Sequence, residues 1–156
     1  MTVRRPRFTH LTILLALSAL ASCRAPEVGL QDGRLRPCPS SPNCVSSEPA
    51  EERSPTEALA FTGEAGAALE RLVALLREQP RAEVVTVTDD YVHAVFRTPL
   101  FGFRDDVEFR LDATAGRIHV RSASRVGYSD FGANRRRVDA LRERWIGGSP
   151  RAGPAR

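Results

Sequence analysis

The fold is decided by residues 91–121, which read YVHAVFRTPLFGFRDDVEFRLDATAGRIHVR. Apolar and polar residues alternate here along three segments, 91–98, 106–112 and 117–121. A period of two is typical of β-strands that bury one face. The connections between these segments are too short for the crossovers that parallel strands need. The stretch therefore predicts neighbouring strands in a largely antiparallel sheet.

The flanking sequence adds a fourth strand and two helices. Residues 83–88 are rich in β-branched side chains and lead into a turn at Asp89-Asp90. Apolar residues recur at helical spacing over 63–79, where Pro80 follows, and again from about 131, where Asp130 is the expected N-cap. The chain is therefore predicted to adopt an α+β fold with a small, largely antiparallel four-stranded sheet and two main helices on one face.

The alternation also predicts a polar sheet face opposite the helices. Eight side chains should lie on it: Tyr91, His93, Arg97, Asp106, Glu108, Arg110, His119 and Arg121. The eight residues expected to face the helices are Val92, Ala94, Phe96, Val107, Phe109, Leu111, Ile118 and Val120.

The first 22 residues predict export. Three arginines precede the apolar run 11–20, which is about half the ~20 residues of a membrane-spanning helix and is typical of a signal peptide. The run ends in Leu20-Ala21-Ser22-Cys23, which resembles a bacterial lipobox. We expect acyl chains on Cys23 and a membrane-anchored lipoprotein facing the periplasm. Arg24, where Asp would resemble an inner-membrane retention signal, favours the outer membrane of a diderm. The alternative is an ordinary signal peptide, cleaved to leave Cys23 as a free thiol.

The charge of the chain argues against a nucleic-acid partner. All 23 basic residues are arginine, which excludes chemistry that needs a lysine amine. Removing residues 1–22 takes away three arginines and no acid, so the formal net charge falls from +4 to +1. Nucleic-acid binding needs a stronger basic field.

Cys38 and Cys44 are the two cysteines left after Cys23, and an even pair in an exported protein predicts a disulfide. A metal or redox site is the alternative, although the spacing suits neither. The expected organisation is a signal peptide over 1–22, the lipidated Cys and a tether over 23–34, a folded domain over 35–146 and a disordered tail over 147–156.

Three motifs resemble domain-of-unknown-function family 1499. They are CPSSPNCVSS at 38–47, RDDVEF at 104–109 and the stretch 118–137. The resemblance extends over roughly 30–146 and implies a compact α+β domain that is often exported, with no established activity. One segment departs from the pattern: Ser54 to Leu59 stand where the family has a His and an Ile-x-Pro-Leu before the aromatic residue.

The sequence suggests an anion site after the last strand. Five side chains would form it beside the N-terminus of the closing helix: Arg121, Ser122, Ser124, Arg125 and Arg135. Arginine forks bind carboxylate or phosphate, and free helix N–H groups add donors. The alternative is that these arginines pair with the acids Asp105, Asp106, Glu108 and Asp130 inside the fold.

The expected function is that of an envelope lipoprotein, a non-enzymatic module that binds an anionic envelope component or a protein partner, without a cofactor. The alternative is an envelope hydrolase in which Ser122, Ser124 or Ser129 attacks, with His93 or His119 as the base and Asp106 or Glu108 orienting it. Metal binding by His93, His119 and Glu108 is a weaker candidate, because their spacing is not characteristic of a metal site.

Overall fold

The computed structural model of the protein describes residues 27–148. The predicted signal peptide over 1–22, Cys23 and residues 149–156 of the predicted tail lie outside this range. In chain order the strands are β1 (Leu30–Gln31), β2 (Arg34–Leu35), β3 (Cys44–Ser46), β4 (Leu59–Ala60), β5 (Ala82–Val87), β6 (Tyr91–Arg97), β7 (Arg104–Asp112) and β8 (Arg117–Ser124), and the helices are α1 (Ala65–Arg77) and α2 (Ala133–Gly147).

The main sheet has six strands, and all its pairings are antiparallel. Its order is β3-β8-β7-β6-β5, and β4 also pairs with β8, opposite Arg117 and Ile118. The predicted α+β class and antiparallel sheet are confirmed, but four strands was wrong. β8 continues to Ser124, beyond its predicted end, and its outer edge pairs with the short strands β3 and β4.

Both helices pack on one face of this sheet. The Glu64 side chain caps α1 by accepting hydrogen bonds from the Gly66 and Ala67 N–H groups. Leu72 of α1 and Leu141 of α2 belong to a single core cluster with Phe109 of β7. All core residues of this cluster lie between 45 and 145, so the chain from Arg24 to Arg156 carries the whole described fold.

A two-stranded hairpin covers the opposite face. β1 pairs with β2 around a turn at Asp32 and Gly33, both of which have positive φ. Leu35 is buried, and the Gly29 N–H reaches the centre of the sheet. Residues 27–34, expected to belong to a tether, are therefore folded against the domain. The Gly29 N–H finds its acceptor, Glu108, on the sheet, and the sequence pattern of this stretch does not reveal that contact.

The predicted disulfide is confirmed. Cys38 is bonded to Cys44, with 5.7 Å between their Cα atoms. Since Cys44 begins β3 and lies opposite Ala123 of β8, the bond holds the 38–44 loop at the end of β8. α2 begins at Ala133 with Gly132 as its N-cap, rather than with the expected Asp130, and it continues to Gly147.

We expect Leu72→Ala to lower the free energy of unfolding by about 2–5 kcal/mol, the usual cost of truncating a fully buried leucine. Leu100→Ala, at a side chain that is 81% exposed, is the matched control and should change it by less than about 0.5 kcal/mol. Urea denaturation followed by circular dichroism measures both. Equal losses would contradict this assignment of the core.

Candidate functional site

The polar face of the sheet is a buried layer of charged side chains. His93 lies opposite Glu108, and Glu108 lies opposite Arg121, so these three residues form a row across β6, β7 and β8. Glu108 is 0% and Arg121 2% exposed. The predicted division of the two sheet faces is therefore confirmed, but most of the polar face is covered rather than open to solvent.

Glu108 is the centre of this layer. Its Oε1 accepts hydrogen bonds from the Gly29 N–H at 2.6 Å and the Tyr91 hydroxyl at 2.8 Å, and its Oε2 pairs with Arg121 Nη1 at 2.6 Å. Burial and the adjacent Glu108 carboxylate raise the pKa of the Tyr91 hydroxyl well above its ordinary value. Because three donors converge on one carboxylate, the N-terminal hairpin, β6 and β8 are all tied to β7 at this point.

A second cluster joins His93, Asp106 and Arg125. His93 Nε2 lies 2.7 Å from Asp106 Oδ1, and since an ionised carboxylate only accepts, Nε2 carries the hydrogen. Arg125 donates to both oxygens of Asp106 at 2.9 and 2.8 Å. Burial opposes ionisation of Asp106, but the hydrogen bonds from His93 and Arg125 outweigh it and hold the pKa of Asp106 below its ordinary value.

A third pair lies beside the hairpin. Arg110 forks onto Glu48 at 2.7 and 3.1 Å, and the Leu35 N–H donates to the same carboxylate at 3.1 Å. Burial alone would raise the pKa of Glu48. The hydrogen bonds from Arg110 and Leu35 lower it by more than burial raises it, so the pKa of Glu48 lies below its ordinary value. The hairpin is thus attached to the sheet through two buried carboxylates, Glu48 and Glu108.

The five residues of the predicted anion site are not brought together. Arg121 and Arg125 lie on the polar face and pair with Glu108 and Asp106. Ser122 and Ser124 lie on the helix side, because neighbouring residues of a strand point to opposite faces. Arg135 is exposed, and its Nη2 donates to the Pro55 carbonyl at 2.9 Å.

Ser122 and Ser124 serve to attach α2 to the sheet. The Ser122 hydroxyl donates to Asn134 Oδ1 at 2.6 Å, and Asn134 Nδ2 donates to the Ser124 hydroxyl at 3.0 Å. Asn134 is fully buried and also donates to the Asn43 carbonyl at 2.9 Å. Near them Arg137 pairs with Asp105. The hydrogen-bonding groups of these residues are therefore occupied by one another.

The serines and histidines expected in a hydrolase are separated. Ser122 and Ser124 lie on the sheet face opposite His93 and His119, and Ser129 is in an exposed loop where its hydroxyl accepts from the Phe131 N–H. His119 instead lies close to Ser47, and the sequence did not predict this contact. Its Nδ1 lies 2.9 Å from the Ser47 carbonyl and 3.4 Å from the hydroxyl. In a neutral imidazole this Nδ1 carries the hydrogen and cannot act as the base for Ser47.

The three candidate metal ligands are used in other contacts. His93 binds Asp106 and Glu108 binds Arg121, while His119 Nε2 lies 3.9 Å from Asp112. Among residues 27–148, no group of three or more His, Cys, Asp or Glu side chains could hold a metal ion.

One end of the domain exposes a group of large apolar side chains. The loops 98–103 and 125–132 meet there, since the Arg125 N–H donates to the Arg104 carbonyl at 3.1 Å. Six side chains in these loops, each more than half exposed, form what we call the apolar end: Leu100, Phe101, Phe103, Val126, Tyr128 and Phe131. Sequence reasoning missed this surface. Its signal is the run Leu100-Phe101-Gly102-Phe103 between two strands, where a turn would ordinarily be polar.

No helix within residues 27–148 is long and apolar enough to span a membrane.

We expect Asp106→Asn to lower the free energy of unfolding at pH 7 by about 3 kcal/mol, because Arg125 and His93 would lose their buried anion. The pKa of Asp106 is depressed in the folded protein, so its contribution is complete above the ordinary value of 3.8 and is lost as the pH falls further. The difference between wild type and variant should therefore shrink below about pH 4. Urea titrations from pH 3 to pH 7 test this, and a difference independent of pH would contradict it.

The model for the family described as protein of unknown function (DUF1499) matches residues 34–144, well over half of the chain. No curated protein matches the chain. The matched range runs from β2 into α2 and includes the six-stranded sheet and the buried charged layer. The chain therefore belongs to the DUF1499 family of proteins of unknown function.

Proposed function

We propose that this protein is a non-enzymatic envelope lipoprotein whose apolar end binds an anionic membrane surface. The observation that carries the proposal is the group of six exposed apolar side chains on two adjoining loops. Exposed apolar surface on a soluble domain costs free energy and marks sites of association. The amphipathic ring of Tyr suits the level of the lipid headgroups, and Phe and Leu side chains bury in the adjoining acyl region.

The charge around the apolar end supports a lipid partner with negative headgroups. Arg97 and Arg104 are exposed at the two ends of the 98–103 loop, and Arg136 is exposed just after Phe131. Two neighbouring acids have partners within the domain: Asp105 pairs with Arg137, and the partly exposed Asp130 accepts from the Gly132 and Asn134 N–H groups. The exposed Glu83 lies 3.9 Å from Arg97, so the positive charge at this end rests on Arg104 and Arg136. Apolar side chains can enter the acyl region of a bilayer while the basic side chains around them contact the phosphates of the headgroups.

The position of the N-terminus supports the same orientation. Asn43, in the disulfide loop, donates to the Gly127 carbonyl at 2.5 Å, so this loop adjoins the apolar end. Glu27 lines a cleft together with Cys38 of that loop. If Cys23 carries acyl chains, the four residues to Glu27 span at most about 14 Å. A tether this short would hold this end of the domain close to the bilayer.

The alternative function, an envelope hydrolase, has less support. The serines Ser122 and Ser124 are hydrogen-bonded beneath α2, and His93 and His119 are directed to other partners. A hydrolase would need a different nucleophile or a rearranged sheet.

We expect the chain from Arg24 to Arg156 to sediment with vesicles of phosphatidylethanolamine and phosphatidylglycerol, and to bind pure phosphatidylcholine vesicles several-fold more weakly. Salt should reduce the binding to anionic vesicles, because it screens exposed charges. The double variant Phe101→Ser/Phe131→Ser should bind at least tenfold more weakly, since two exposed rings are lost.

The control is Val87→Ser, at a side chain that is about half exposed and lies at the opposite end of the sheet. It should bind the vesicles like the wild type. Equal binding of the double variant and the wild type, or no binding of the wild type to anionic vesicles, would refute the proposal.

A further inference from the structure

β5 forms an open edge of the main sheet. This strand pairs with β6 on one side, and no strand within residues 27–148 pairs with its other side. Val85 and Val87 of β5 are each about half exposed. An unpaired edge with exposed β-branched side chains is a surface to which another strand can add.

A groove of about 710 Å³ lies beside this edge, between α1 and the end of β5. Its apolar lining includes Leu69 and Val73 of α1, Val87 of β5 and Leu111 of β7. Because side chains alternate between the two faces of a strand, a partner strand paired with β5 would place every second side chain on the groove side. The edge and the groove together therefore form one surface for association.

The shape of β5 limits how long such a pairing can be. Its register with β6 shifts between Val84 and Thr86, which marks a β-bulge. Bulges bend a strand and protect sheet edges against indiscriminate pairing. A partner must therefore be selected by side chains as well as by backbone hydrogen bonds, which makes the charges beside the edge decisive.

These charges are separated along the groove. α1 and β5 run in opposite directions, because only residues 78–81 connect them. Arg77 lines the groove where α1 ends, whereas Glu64 and Asp89 line it where α1 begins and β5 has ended, with Glu70 one turn further along the helix. The two ends are about 18 Å apart along the helix axis. In the part of the chain that the structure describes, Arg77 and Asp89 are exposed and neither has an ion-pair partner.

Two further acids near the basic end do not cancel its charge. Glu83 lies 3.9 Å from Arg97, and Glu78 does not line the groove. The exposed Arg81, which directly precedes β5, adds a second positive charge at this end.

A surface with a basic end, an apolar middle and an acidic end is complementary to a second copy of itself. A two-fold axis perpendicular to the sheet near Val85 would set the β5 strands of two copies antiparallel and bring their two grooves together. Arg77 of each copy would then face Asp89 of the other. We infer that this protein forms a symmetric dimer through β5 and the adjoining groove, with these two reciprocal ion pairs fixing the antiparallel orientation.

The test is sedimentation velocity of the chain from Arg24 to Arg156. The wild type should pass reversibly from monomer to dimer between about 5 µM and 1 mM, the range of a weak association. Arg77→Glu and Asp89→Arg should each weaken the dimer at least tenfold, because each creates two contacts between like charges. Both side chains are exposed, so the fold should be unaffected. A wild type that stays monomeric at 1 mM would overturn the inference.

An equimolar mixture of the two variants provides the decisive measurement. In a mixed dimer, Glu at position 77 faces Arg at position 89, and the native Arg77 faces the native Asp89, so both contacts are attractive. Dimerisation should return to within about threefold of the wild type. A mixture that associates no better than either variant alone would overturn the inference.

Arg53→Glu is the matched control. It changes the net charge by the same amount as Arg77→Glu, but it lies in the loop beside β3, at the other side of the sheet. Its dimerisation should stay within twofold of the wild type, and a loss equal to that of Arg77→Glu would overturn the inference. The interface shares no residue with the apolar end, so failure of vesicle binding would leave it untouched.

Discussion

The structure depends on the carboxylate of Glu108, which is withdrawn completely from water in the middle of β7. A buried carboxylate is tolerated only when donors replace its hydration, and here a backbone N–H, a phenol and a guanidinium do so. One of these donors, Gly29, comes from 79 positions earlier in the chain. The covering hairpin therefore supplies a hydrogen bond that water would otherwise make to Glu108.

Because of this constraint, the two faces of the sheet are buried by different kinds of contact. On one face apolar side chains pack against two helices, and their burial supplies the general driving force for folding. On the other face charged pairs are covered by a hairpin that is itself short and largely polar. Such a layer adds little net stability, but it requires specific partners and so fixes how the hairpin is placed.

The sequence predicted the parts of the fold that repeat a pattern. The alternation in 91–121 predicted β6 to β8 and assigned their side chains to the correct faces, and the leucine spacing predicted α1. β3 and β4 were missed because three and two residues cannot display a period, and the hairpin was missed because its partner, Glu108, is remote in sequence. The five residues of the predicted anion site are not brought together, and one reason is that Arg121 and Ser122 are neighbours in a strand and so point to opposite faces.

The order of pairing has a consequence for a chain that emerges N-terminus first. β3 and β4 both pair with β8, and Gly29 beside the hairpin reaches Glu108 of β7. The segments between residues 27 and 60 therefore lack their partners in the main sheet until residues 108–124 have emerged. The Cys38–Cys44 ring is different, because it closes within seven residues and needs no strand. Oxidation can therefore complete this bond early, and the bond shortens the connection between β2 and β3 before β8 is available to pair. The first third of the domain thus depends on the last third for its place in the sheet, and the disulfide is the part of it that can form before the last third is present.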